Sequence, residues 1–134
     1  MIRAHLESAL RERFPDTPFV FHEAPTPFAT LEGPCVEIGR LELHDDGDEV
    51  TVYLTEISHG HFGCYDDDSP TLEEKERRIA ANVLEFLEDL FADRVVVYRV
   101  VGGFADGWSV LKEGQILPSP SKLRRQFVWS GPIR

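Results

Sequence analysis

The feature that most constrains this chain is a long amphipathic repeat that runs, after two residues, into a β-branched stretch. From about residue 70 to 92, Leu72, Ile79, Val83, Phe86, Leu87 and Leu90 fall on one helical stripe. Glu73, Lys75, Glu76, Arg77, Glu85 and Glu88 lie mostly off it. Two start signals compete: Ser69 as N-cap with Pro70 at the first helical position, or Thr71 and Glu74 as a capping box. Asp66-Asp67-Asp68 sits at the positive end of the helix dipole in either case. After Asp93-Arg94 comes Val95-Val96-Val97-Tyr98-Arg99-Val100-Val101, which reads as a central strand, apolar on both faces for most of its length. The helix must bury its stripe against a sheet.

The remaining elements follow from shorter patterns. Ile2, Leu6, Ala9, Leu10 and Phe14 predict a first helix over 2–14, closed by Pro15 and Pro18. Phe19-Val20-Phe21 is a short strand, and Ala24-Pro25-Thr26-Pro27 a rigid loop. Cys35–His44 and Glu49–Ile57 read as a hairpin around Asp45-Asp46-Gly47-Asp48, with Gly47 supplying positive φ. Val36 and Ile38 share one parity and Leu41 and Leu43 the other, which predicts a β-bulge at Gly39. His59–Tyr65 is a further extended segment. Gly102–Gly107 turns the chain into Trp108-Ser109-Val110-Leu111, and Phe127-Val128-Trp129 is a strand or docking segment. The expected fold is one α+β domain over 1–134, order α-β-β-β-(β)-α-β-β plus tail. Its sheet is antiparallel or mixed, with one long helix packed across it.

Charge is unevenly spread. The net charge is -10, yet the proline-containing tail 112–134 carries +4 (Lys112, Lys122, Arg124, Arg125 and Arg134 against Glu113), leaving -14 on residues 1–111. Such a body repels phosphates, so direct nucleic-acid binding is disfavoured outside the tail, and basic protein partners are favoured. The N-terminal residues carry charge where a signal peptide needs an apolar core, and the longest apolar stretch is too short to span a bilayer; a cytoplasmic protein away from membranes is expected. Cys35 and Cys64 lack zinc-ribbon or CxxC spacing and read as reduced thiols on strands.

No P-loop, G-x-G-x-x-G, H-E-x-x-H or G-x-S-x-G is present, which argues against an enzyme. The densest polar constellation is His59-Gly60-His61-Phe62-Gly63-Cys64-Tyr65-Asp66. On a strand, His59 and His61 share a face and could chelate a metal, with Asp66 or Asp68 as third ligand. Gly60 and Gly63 would leave room for a ligand near the backbone. The same face, His59, His61 and Tyr65, also reads as a protein-binding rim or as a plain edge strand. The acidic turn 45–48 lacks the ligand spacing of a calcium loop and reads as solvated. Trp108 follows the glycine turn. Trp129 beside Arg124 and Arg125 reads equally as an interface anchor or as a lid on the core.

The run from His61-Phe62-Gly63 through Asp66-Asp67 and Glu73-Glu74-Lys75 to Phe86-Leu87-Glu88-Asp89-Leu90-Phe91-Ala92-Asp93-Arg94-Val95 resembles a pattern in small bacterial proteins. In size, acidity and α+β character the chain resembles toxin-immunity proteins. Its element order is similar to that of type III secretion chaperones, with the Trp-bearing end in place of their last helix. Both likenesses are at the level of the fold and carry over no site residue. With the -14 body and the absence of a catalytic motif, the expected function is a non-catalytic protein-binding module of this immunity- or chaperone-like kind, without a cofactor and with a homodimer left open. A metal-binding protein or metal-dependent enzyme centred on His59 and His61, and a structural or regulatory accessory domain, are the alternatives.

Overall fold

The computed structural model describes residues 1–64 and 71–133. Helix α1 (Ile2–Arg13) buries Ile2, Leu6 and Leu10. Helix α2 (Leu72–Phe91) buries Ile79, Ala80, Val83, Phe86, Leu87 and Leu90, most of the stripe that its spacing predicts; Leu72 in the first turn is exposed, and Glu76, expected off the stripe, is buried and pairs with the Met1 ammonium group at 3.2 Å. Thr71 caps it, its hydroxyl oxygen accepting from the Glu74 amide at 3.1 Å. The alternative start at Ser69-Pro70 and the preceding Asp66-Asp67-Asp68 lie outside the described residues.

The strands form two antiparallel sheets where a single sheet was expected. The first is a meander in sequence order: β1 (Val20–Phe21), β2 (Ala29–Glu32), β3 (Arg40–Asp45), β4 (Glu49–Leu54) and β5 (Ser58–Gly63). The second has the order β7-β6-β8-β9, from β6 (Val95–Val100), β7 (Asp106–Val110), β8 (Arg124–Val128) and β9 (Gly131–Pro132). The β-branched strand β6 is central in its sheet, and Val95, Val96 and Val97 are buried. The class is α+β.

Three differences from the sequence reading have physical causes. Strand β2 was not expected, because its four residues sit among prolines and glycine. The first hairpin arm starts at Arg40, with Cys35 in the preceding loop and Cys64 just after β5. Gly39 has φ +82°, and a Cβ there would lie 2.5 Å from Thr55 Oγ1 and 2.6 Å from Glu56 Cγ. The parity change at Gly39 therefore marks the end of a tight loop rather than a bulge. Third, the strand or docking segment read at Phe127-Val128-Trp129 starts earlier and joins the second sheet. From Arg124 it is β8, registered on β6 with Val97 opposite Phe127 and Arg99 opposite Arg125.

The sheets meet where β5 faces β7. Ser58 Oγ donates to Asp106 Oδ1 at 2.7 Å, and Arg99 Nη2 donates to the Ile57 carbonyl at 3.3 Å. The Trp108 indole lies over Gly60, where an added Cβ would be 2.3 Å from the ring. The space that Gly60 leaves is thus filled by Trp108 and is not open to a ligand. Gly60→Ala should displace the indole and destabilise the fold by about 1–3 kcal/mol, measured by urea denaturation. Unchanged stability would show that the indole does not need that space.

Candidate functional site

The outer face of the first sheet gathers polar and aromatic side chains. Strand alternation puts Arg40, Glu42 and His44 of β3, Glu49, Thr51 and Tyr53 of β4, and His59 and His61 of β5 on one side. His44 lies 4.5 Å from Tyr53, Tyr53 stacks on His59 at 5.3 Å, and His59 meets His61 edge-on at 5.3 Å (ring centroids). His61 is directly opposite Thr51, and Glu49 is its diagonal neighbour. His61 Nδ1 lies 2.9 Å from Glu49 Oε1 and 3.1 Å from Thr51 Oγ1, while the Thr51 hydroxyl donates to Asp46. Among the described residues, Asp46, Glu49 and His61 are the three potential metal ligands whose donor atoms converge within 4.8 Å. His59 is not among them, and Asp66 and Tyr65 lie outside the described residues.

At the other end of this face, His44 Nε2 is 3.0 Å from Glu42 Oε1, and the Arg40 guanidinium pairs with the same carboxylate. Burial raises the Glu42 pKa, but the bonds to His44 and Arg40 together outweigh it, and the net shift is downward. Burial also pushes the Cys35 thiol up, which keeps it protonated and unreactive.

A second feature is an open cleft of about 650 Å³. Phe14 and Pro18 line it beyond α1, Leu31 and Pro34 at the end of β2, Phe91 at the end of α2, and Trp129 beyond β8. Phe91 packs edge-on against Phe14 at 5.3 Å and, tilted, against Trp129 at 5.4 Å. Asp16, Glu32 and Glu88 rim the cleft, with Arg13 paired to Glu88. One residue anchors the Trp129 wall. Asp93 follows α2 in the left-handed region at φ +59°, and its carboxylate accepts from the Ser130 amide at 3.0 Å and from the Ser130 hydroxyl. The end of α2 and the segment after β8 are thereby tied together.

The structure separates the other residues singled out from the sequence. Trp129 is buried and faces the cleft, away from the tail arginines. Arg124 lies over Tyr98 at 4.5 Å and Arg125 over Phe127 at 5.5 Å; neither lines the cleft. Trp108 packs on Phe86 at 4.7 Å. Sequence reasoning missed Asp46 and Glu49 as neighbours of His61, and it missed the cleft. Hairpin register was the signal for the first, but it depends on the Leu54–Ser58 turn, whose geometry the sequence does not dictate. No helix among the described residues is long and apolar enough to cross a membrane. Comparison with protein-family models, curated proteins and solved structures finds no match to this chain.

The Glu42 shift has a definite sign in stability. A carboxylate whose folded pKa is lowered stabilises the fold above its unfolded value, and that contribution is lost as pH falls through the folded value. Glu42→Gln should cost about 1 kcal/mol at pH 7, discounted for the half-exposed Arg40. The gap to the parent protein should shrink as the medium is acidified below the ordinary glutamate range. A gap that stays constant down to the lowest pH at which both fold would contradict this assignment.

Proposed function

We propose that the protein is a non-catalytic binding module, of the immunity or chaperone kind, that takes a basic segment of another protein into the Phe91–Trp129 cleft. The observation that carries this reading is an apolar floor within an acidic rim. Phe14, Phe91 and Trp129 offer aromatic surface, and such residues dominate binding energy where a partner's anchor is fully desolvated. Asp16, Glu32 and Glu88 outnumber Arg13 around them, so the complement is an aromatic or large aliphatic anchor flanked by Lys or Arg. The charge of the whole chain, -10, steers association the same way.

Selection of displayed random peptides on the purified protein tests this. Enriched sequences should combine an apolar anchor with neighbouring basic residues. Asp16→Lys with Glu32→Lys should weaken the selected peptides at least tenfold while leaving the thermal midpoint near that of the parent. Enrichment of acidic peptides, or peptides indifferent to the double reversal, would contradict the reading.

A further inference from the structure

On the opposite side of the first sheet from its packed face, we infer that Asp46, Glu49 and His61 form a surface site for one divalent first-row transition cation. The three donors come from separate places in the chain: the turn before β4, the first residue of β4, and the middle of β5. The β4–β5 register brings them together, with Thr51 opposite His61 and Glu49 opposite Gly63. The donor atoms lie within 4.8 Å of one another, and His61 Nδ1 is 2.9 Å from Glu49 Oε1. Ligands about 2.1 Å from one ion sit roughly 3.0 Å apart in an octahedron and about 3.4 Å apart in a tetrahedron. The donor spacing, within 4.8 Å, would have to contract toward these values on binding.

Thr51 is the reason to read a built arrangement here. Its side chain is buried, at 1% exposure, in a face that is otherwise half open. Its hydroxyl donates to Asp46 and its oxygen lies 3.1 Å from His61 Nδ1, so one buried group contacts both side chains. One imidazole with two carboxylates suits Zn²⁺, and the two carboxylates also admit the harder Mn²⁺. Ca²⁺ needs six or more oxygens, and Mg²⁺ disfavours imidazole. Water would complete the coordination. His59 is excluded from the site: its ring is stacked on Tyr53 and meets His61 only edge-on. This inference shares no residue with the cleft and stands or falls separately from it.

Isothermal titration of the metal-free full chain with Zn²⁺ tests it, with Mn²⁺ in parallel. One equivalent should bind, and millimolar Mg²⁺ or Ca²⁺ should not displace it. His61→Ala and the milder His61→Gln and Asp46→Asn should each weaken Zn²⁺ binding at least tenfold. His59→Ala should leave it within about twofold. Circular dichroism confirms that each variant folds. Absence of Zn²⁺ and Mn²⁺ binding overturns the inference, as does binding that persists in both His61 variants or that is lost with His59 and not with His61.

Discussion

Phe86 stands between the two sheets, its ring 5.3 Å from Phe62 of β5 and 4.7 Å from Trp108 of β7. Phe91, later on the same helix, joins Phe14 of the α1 side to Trp129 of the C-terminal segment. Two rings of α2 thus connect both sheets and both ends of the chain. Truncating a buried phenylalanine costs about 3–5 kcal/mol, against a typical total of about 5–15 kcal/mol for a domain. No surface ion pair approaches that. The exposed Glu73–Arg77 and Glu74–Arg78 pairs on α2 contribute a few tenths of a kcal/mol each, roughly.

The same packing positions both candidate surfaces. The cleft exists because Phe91 ends α2 beside Trp129, and Asp93 fixes that pair by bonding Ser130. The polar face of the first sheet exists because the inward residues of β3 and β4 (Leu41, Leu43, Val52 and Leu54) are committed to the core. Alternation then sends Glu42, His44, Tyr53, His59 and His61 outward. One surface is apolar with an acidic rim, and the other is an imidazole and carboxylate array. Their chemistries suit different ligands: a peptide anchor for the first, a cation for the second.

Much of this was legible in local sequence, and the reason is periodicity. The stripe of α2 and the valines of β6 carry signals long enough to survive any tertiary context. The Asp45–Asp48 turn and the shared face of His59 and His61 follow from residue chemistry and strand alternation alone. What failed to show were features set by contacts between distant segments. Gly60 looked like space for a ligand, yet that space belongs to Trp108, 48 residues later. Glu49 and Asp46 join His61 only through register. Trp129 was adjacent to arginines in sequence but turns away from them, because Phe91 offers it an apolar neighbour.

If α2 binds the two sheets into one unit, native-state hydrogen exchange should report a single opening. The amides of Val52 in β4 and Val97 in β6, both buried, should exchange with the same free energy of opening. Phe86→Leu should lower both by the same amount. Exchange of β6 and β8 at a free energy several kcal/mol below that of β3 and β4, or an effect of Phe86→Leu confined to one sheet, would contradict the account.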